Sequence, residues 1–354
     1  MSSERTARDP RERIAEGFRR FAREAAGRSP LYVEIAETVA ETSWILDFLA
    51  AMPEAKWQPN VLLAVVRYLF GTPGSGREFV ALVRERSNEI AETMAVRSTQ
   101  TNEPARCATL LPVLARLPQP LALLEVGASA GLCLLPDYYA YDYGGGHEVE
   151  PSAECGVTAP RFACRAGAGT PLPDRGVEVA WRAGLDLNPV ELRDDAEIRW
   201  LEALVWPGEE YRLPRLRAAC EVARVAAPRV VKGDLRTDLA ALAAQAPEHA
   251  TLVVFHTAVL AYVRDPEDRE AFARSVAAAG ARWIANEGRH NIPVPPIQPA
   301  RTPTRRLSCC ASTPSRWRGP MATAPGSTGW PSFLTLARRW VASVRFCGNV
   351  RGIG

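Results

Sequence analysis

The residues best suited to chemistry lie in the stretch Leu121–Leu132, which runs LALLEVGASAGL. An apolar run that ends in Glu125 and continues into Gly127 and Gly131 predicts a buried strand that turns abruptly toward a helix. Such turns bind nucleotides in α/β folds, because glycine allows unusual backbone angles and a close approach of the ligand. Glu125 would repel a phosphate. The stretch therefore favours a ligand with a positive charge or hydroxyl groups, such as S-adenosylmethionine.

The same turn also matches a different kind of site. Gly127–Gly131 has the G-x-S-x-G pattern of the serine hydrolase elbow, with Ser129 as the nucleophile. Asp186 and Asp234 follow Ser129, and His256 follows both, so the order is that of a hydrolase triad. Against this, the residues before the turn are helical in pattern, and His256 ends a predicted strand instead of lying on a loop. A structural turn that binds nothing is the third interpretation.

Composition indicates a soluble globular chain of 354 residues, with 47% hydrophobic and 23% charged residues. Only two of its 43 basic residues are lysines, which together with abundant Ala, Gly and Pro indicates a GC-rich bacterial genome. The net charge of +3 is uneven, because no acidic residue follows Glu287 and the chain before it is mildly acidic. No nucleic-acid partner is expected from this pattern.

Location and metal binding are also addressed by the sequence. The first residues lack the apolar core of a signal peptide, and no run approaches the roughly 18 apolar residues of a membrane span. We therefore expect a cytoplasmic protein with no membrane partner. None of the eight cysteines forms a C-x-x-C pair, and there are four histidines. This pattern predicts neither a zinc site nor a disulfide framework.

Residues 1–105 are predicted to form a helical N-terminal domain. Apolar residues recur at helical spacing from residue 10 to residue 97, and prolines and glycines separate the segments. A polar cluster, Thr99–Arg106, closes this domain. Its Asn102, Glu103 and Arg106 are candidates to face the glycine turn, while helix capping by Thr101 or Asn102 with a solvated ion pair is the simpler alternative.

Residues 106–288 are predicted to form a doubly wound, mostly parallel α/β sheet of the Rossmann-like kind. Five apolar segments alternate with helical patterns, and each ends in a polar residue: Leu121–Glu125, Val177–Asp186, Arg229–Asp234, Thr251–His256 and Ala281–Glu287. An insert of about residues 144–176 separates the first two. Pro136 predicts that the helix after the first strand is short or bent. The tyrosines that follow it are either a flap beside a pocket or packed side chains.

Residues 30–287 resemble a bacterial domain-of-unknown-function family whose core is similar to class I S-adenosylmethionine-dependent methyltransferases. The carrying stretches are Gln100–Cys107, Leu124–Leu132, Tyr141–Tyr143, Ala183–Val190, Trp200–Pro207 and Val254–Tyr262. The resemblance implies a methyltransferase that acts on a small molecule. A serine hydrolase and a non-catalytic binding module remain alternatives.

The resemblance also implies roles for particular residues. It places four residues around the methionine part of the cofactor: Glu125, Gly127, Ser129 and Gly131. It places Asp186 on the ribose and Asp234 near the adenine. The candidates for substrate contact and catalysis are His256, Tyr262, Asn102 and Glu103, although His256 as a structural residue is an equal alternative. Ser129 stands where many methyltransferases keep glycine, and Pro136 where the family continues its helix.

Residues 289–354 differ from the rest of the chain. They are rich in Arg, Pro, Ser and Thr, contain the pair Cys309–Cys310, and have no acidic residue. They stand where a methyltransferase-like sheet has its final antiparallel hairpin. One interpretation is a frameshift product, which would leave the strand Arg282–Glu287 with an unpaired apolar edge. The other is a natural, basic, disordered tail.

Overall fold

The computed structural model describes residues 9–100, 102–167 and 169–287, and the backbone of residues 341–343. By its internal contacts the chain forms two units. The first contains the chain up to Asn102 together with Glu191–Cys220, and the second contains Glu103–Val190 and the chain from Glu221 onward. The sequence analysis divides the chain at residue 105 and does not predict that Glu191–Cys220 belongs with the helical unit.

Helices dominate the first unit and alternate with strands in the second. In chain order they are α1 (Pro10–Ala25), α2 (Pro30–Glu41), α3 (Ser43–Ala50), α4 (Pro59–Phe70), α5 (Gly76–Glu85), α6 (Ser87–Val96), α7 (Cys107–Leu114), α8 (Asp195–Ala203), α9 (Arg212–Ala226), α10 (Leu239–Ala243) and α11 (Pro266–Ala278). Proline occupies the first turn of α1, α2 and α4, where its missing N–H costs nothing. The side chains of Asp9 and Ser29 cap α1 and α2.

Two tryptophans explain why Glu191–Cys220 joins the first unit. Trp200 and Trp206 are buried in the core that α1 to α6 form. The indole N–H of Trp200 donates to the carbonyl of Ser98 at 3.1 Å, and that of Trp206 donates to Oδ1 of Asn60 at 3.0 Å. Each indole therefore contributes a large apolar area while its polar group is satisfied.

Within the described residues, nine strands form two sheets, which both belong to the second unit. In chain order the strands are β1 (Leu121–Val126), β2 (Ala140–Asp142), β3 (Glu148–Val149), β4 (Arg161–Ala163), β5 (Val179–Asp186), β6 (Arg229–Lys232), β7 (Thr251–Thr257), β8 (Arg282–Asn286) and β9 (Val341–Ser343). The main sheet has the order β6-β5-β1-β7-β8-β9, and its strands are all parallel. The small sheet has the order β3-β2-β4; β3 and β4 lie in the predicted insert, whereas β2 precedes it.

The five strands that the sequence predicts are present and make a Rossmann-like α/β sheet. In chain order these five lie as 3-2-1-4-5, so the direction of winding reverses at β1. Ligands of such sheets bind outside the carboxyl ends of the strands at this reversal. β1 pairs in register with both neighbours, and Val126 lies opposite Leu185 of β5 and His256 of β7. The residues that end these three strands therefore share one edge.

The segment after β1 differs from the predicted helix. Leu132–Leu134 and Pro136–Tyr138 form two short turns of 3-10 helix instead. Pro136 is the physical reason, since it cannot donate the backbone hydrogen bond that an α-helix needs and its ring clashes with the preceding turn. The following tyrosines 139, 141 and 143 are buried, and their hydroxyls donate to backbone carbonyls at 2.8, 2.6 and 2.7 Å. They are packed side chains, not an open flap.

The remaining tail residues, 288–340 and 344–354, lie outside the described part of the chain, and so does the predicted hairpin or frameshift. Val341–Ser343 pairs with Trp283–Ala285 of β8 in parallel. This part of β8 therefore does not have the unpaired edge that the sequence analysis expects. Within the described residues, no helix is long and apolar enough to cross a membrane.

Candidate functional site

The glycine turn after β1 is packed tightly against protein. Gly127 and Gly131 have φ angles of +70° and +72°, which favour glycine. A Cβ on Gly127 would lie 2.3 Å from Cγ2 of Val259, and one on Gly131 would lie 3.0 Å from Cγ2 of Val230. The two glycines thus serve close packing of the turn against the segment after β7 and against β6. They do not leave open space for a ligand.

The backbone amides of this turn are already used. The amides of Gly127 and Ala128 donate to the carbonyl of Leu185, at 2.8 and 3.4 Å, and that of Gly131 donates to the carbonyl of Ala128 at 2.6 Å. The amide of Ser129 donates to Asp186. A phosphate-binding turn needs amides that point at the anion. The four amides named here therefore do not form a phosphate cradle.

Glu125 supplies the acceptor of this site. Its side chain is 3% exposed, and its Oε2 is buried with no hydrogen-bond partner within the described part of the chain. Burial raises the pKa of Glu125 well above its ordinary value; negative charge at Cys133 and Asp186 adds to this, and Arg106 opposes it. An orphaned buried carboxylate is costly unless a donor or a cation is brought to it. The end of β1 is thus rich in acceptors and poor in donors.

Asp186 ends β5, the strand beside β1, and holds the turn in place. Its Oδ2 accepts from the amide of Ser129 at 2.8 Å, and its Oδ1 accepts from the amide of Asn188 at 2.8 Å. A carboxylate has about four acceptor positions, so each oxygen can take one more donor, such as a ribose hydroxyl. Leu187, directly after it, is 60% exposed. The structure thus brings Glu125 and Asp186 to the same edge.

Asp234 lies beyond β6 and is engaged in an ion pair. Arg236 donates to both carboxylate oxygens, with Nη2 2.5 Å from Oδ2 and Nε 2.9 Å from Oδ1. These hydrogen bonds lower the pKa of Asp234. Its carboxylate is therefore occupied by a surface arginine, while the backbone remains connected to the site through the amide of Gly233, which donates to the carbonyl of Asp186 at 2.9 Å.

His256 is a buried structural residue at the end of β7. It has no exposed surface, and both ring nitrogens are hydrogen bonded. Trp283 Nε1 donates to its Nε2 at 2.9 Å, and its Nδ1 donates to Glu287 Oε1 at 2.7 Å. His256 therefore hydrogen-bonds Glu287 and presents no exposed surface of its own.

One feature of Ser129 supports the serine hydrolase interpretation, and its burial opposes it. Ser129 has a φ angle of +52°, as the nucleophile of an elbow requires. It is only 1% exposed, however, and a 3-10 turn instead of a helix follows it. His256 has no ring nitrogen left to act as a base for Ser129, since both are engaged.

The remaining candidates differ in their surroundings. Tyr262, on the segment after β7, is 54% exposed. Glu103 caps the 3-10 turn that leads into α7, because its Oε1 accepts from the amide of Ala105 at 3.1 Å. Asn102 ends the first unit, whereas Glu103 begins the second. Glu103 thus makes a capping contact, which the sequence-based alternative assigns to Thr101 or Asn102.

Two further residues lie at this edge, Arg106, which the sequence predicts to face the glycine turn, and Glu287, which was not among the predicted site residues. Arg106 donates through Nη1 to the carbonyl and the hydroxyl of Thr257, both at 3.0 Å, and so ties the start of α7 to the end of β7. Glu287 accepts from His256 and from the amides that follow β7. Glu287 directly follows β8, so it is an acid at the carboxyl end of a strand as Glu125 and Asp186 are, and this signal was present in the sequence.

The fold and these contacts define the class of protein: a doubly wound α/β protein with buried carboxylates at the carboxyl ends of its strands. Within the described residues, no group of three or more His, Cys, Asp and Glu side chains could hold a metal ion. The chain belongs to the bacterial family described as "uncharacterized protein conserved in bacteria (DUF2332)", whose model matches residues 15–312. This confirms the resemblance to a bacterial family of unknown function. No curated protein and no solved structure matches the chain.

Proposed function

We propose that the second unit binds S-adenosylmethionine at the carboxyl ends of β1 and β5 and transfers its methyl group to a small molecule. The observation that carries the proposal is the buried carboxylate of Glu125, whose Oε2 has no partner among the described residues. It calls for a ligand that brings a cation or hydrogen-bond donors. S-adenosylmethionine carries an ammonium group, a sulfonium and two ribose hydroxyls. A dinucleotide instead brings a pyrophosphate, and the four backbone amides of the turn cannot bind it because they already donate to acceptors within the protein.

The residues have defined roles in this proposal. Glu125 binds the ammonium group, and Asp186 accepts the ribose hydroxyls while it holds the turn through Ser129. Leu187 offers its exposed side chain to the adenine. The cofactor supplies an activated methyl group, so the protein needs mainly to align two ligands and exclude water. Gly127 and Gly131 shape the turn and do not contact the ligand through open space.

Isothermal titration with S-adenosylmethionine and S-adenosylhomocysteine tests cofactor binding. We expect Glu125→Gln to weaken binding by about 1.5–3 kcal/mol, since a charged hydrogen bond is lost. Glu248→Gln is the matched control, because Glu248 is an exposed acid of the same unit. No heat with either ligand on folded wild-type protein would contradict the proposal.

Two alternatives give other results. A non-catalytic module would bind the cofactor but form no S-adenosylhomocysteine with any acceptor of a broad screen. A serine hydrolase would react with a fluorophosphonate probe and lose this reaction in Ser129→Ala. The observation that favours testing the serine hydrolase is the positive φ angle of Ser129.

A related proposal concerns the tail, which we infer to be a frameshift product. Its support is the loss of all acidic residues after Glu287. Resequencing the gene across the codons for residues 288–307 tests the cause directly. An uninterrupted frame, together with a tail that resists proteases in the expressed protein, would contradict it.

A further inference from the structure

Glu287 has an asymmetric environment at the edge where the candidate site lies. Glu287 directly follows β8, and 3% of its surface is exposed. Oε1 accepts from His256 Nδ1 at 2.7 Å, from the amide of Val259 at 2.6 Å and from the amide of Leu260 at 3.0 Å. Oε2 is buried and has no partner within the described part of the chain. One oxygen is saturated while the other lacks any donor.

The contacts of Glu287 favour its ionised form. Burial acts to raise its pKa, but the hydrogen bond and the electrostatic attraction of His256, together with the amides of Leu260 and Val259, outweigh burial, so the pKa lies below its ordinary value. All three hydrogen bonds are made to Oε1. Within the described part of the chain, no hydrogen-bond donor contacts Oε2, so a donor or cation brought by a ligand would satisfy it.

Glu287 lies apart from Glu125, the carboxylate proposed to bind the cofactor. β8 pairs with β7, and β7 pairs with β1, so Glu287 lies two strands away from Glu125. Neighbouring strands are about 4.8 Å apart, so the ends of β1 and β8 are separated by about 10 Å. The two carboxylates are therefore suited to two different charged groups, and Glu287 is the one on the side away from β5.

Glu287 also shapes the segment that covers the glycine turn. Its Oε1 fixes the amides of Val259 and Leu260, and Val259 packs where a Cβ on Gly127 would stand. A ligand at Oε2 thus binds a carboxylate whose orientation is set by three hydrogen bonds. Such orientation is typical of a built recognition site, because little ordering remains to be done when the ligand arrives.

We propose that Oε2 of Glu287 binds the ammonium group of the methyl acceptor, so that the acceptor is an amine-bearing small molecule. Its role as an acceptor rests on the proposed function, whereas the binding of an amine at Glu287 does not. Glu287 is then the specificity-determining residue, and it anchors the acceptor by a charge-assisted hydrogen bond.

The test compares amines with alcohols of the same skeleton. Butylamine and 2-phenylethylamine are titrated at millimolar concentration against butan-1-ol and 2-phenylethanol, using ligand-detected NMR on the full chain, with and without S-adenosylhomocysteine. The proteins are wild type, Glu287→Gln and the exposed control Glu248→Gln. Glutamine keeps an oxygen for the three donors and replaces only the bare oxygen with an amide, so the fold is expected to persist.

We expect the amines to bind wild type and Glu248→Gln, the alcohols to bind neither, and Glu287→Gln to raise the Kd of the amines by about tenfold or more. Equal binding of alcohols and amines, amine binding that survives in Glu287→Gln, or no amine binding at all would each overturn the proposal. The wild-type comparison decides even if Glu287→Gln does not fold. Failure of S-adenosylhomocysteine to bind, with amine binding intact, overturns only the proposed function.

Discussion

Glu125→Gln should make the protein more stable at neutral pH while it removes a group proposed to bind the cofactor. Glu125 is 3% exposed, and its Oε2 has no partner among the described residues. A buried group of this kind loses about 1–3 kcal/mol of hydration that nothing returns, and more when it is charged. The amide of glutamine also loses hydration but carries no charge. We expect a net gain of about 1–2 kcal/mol.

The raised pKa of Glu125 determines how the stability difference between Glu125→Gln and wild type changes with pH. The pKa of Glu125 is raised in the folded protein, by burial first, with Cys133 and Asp186 adding to the rise and Arg106 opposing it. The unfolded chain therefore ionises first as the pH rises, and the folded state loses relative stability above the unfolded pKa of about 4.3. The loss grows until the folded carboxyl also ionises. The advantage of glutamine should be absent in acid and widen toward neutral pH.

Urea unfolding of wild type, Glu125→Gln and Glu248→Gln from pH 4 to pH 8 measures this effect. The control should follow wild type, since Glu248 is exposed. A Glu125→Gln variant that is less stable than wild type at neutral pH would refute the reasoning, as would a stability difference that does not change with pH. Either result would mean that Glu125 has a stabilising partner in the unliganded protein.

Three further variants test other contacts. Gly127→Ala should cost about 1–3 kcal/mol, because its Cβ meets Val259 at 2.3 Å, and Val259→Ala should recover part of that cost in a double-mutant cycle of urea unfolding. Asp186→Ala should lower stability by about 1–3 kcal/mol, since it frees two backbone amides, and should weaken cofactor binding by titration. Asp137→Asn should cost about 3–5 kcal/mol, because Arg182 donates to both carboxylate oxygens of this buried acid; unchanged unfolding would show that the pair adds nothing.

The sheet was predictable because its strands carry a local signal. Leu121–Glu125 and Thr251–His256 are apolar runs that end at a polar residue, and burial on both faces of a parallel sheet requires such runs. Winding order then follows from alternation with helices. The division into units was less accessible, since Trp200 and Trp206 have the pattern of any buried face, and periodicity does not say which core receives them.

The site was predictable in part, for a related reason. Glu125, Asp186 and the glycines stand at strand ends, which the sequence marks. The environment of His256 depends instead on Trp283 and Glu287, which lie 27 and 31 residues away and meet it through pairing of β7 with β8. Such partners are set by sheet register, so the sequence left a substrate contact and a structural histidine as equal alternatives.

The discontinuity of the first unit has a consequence for synthesis on the ribosome. Its helices α1 to α6 are complete once Val96 has been made, but the core that they form also contains Trp200 and Trp206. The core of this unit can therefore be completed only after about a hundred further residues have been synthesised, at about 5–20 residues per second. During these several seconds the apolar surface of the unfinished unit is exposed to chaperones. A fragment that ends at Asn102 lacks both tryptophans and cannot complete this core.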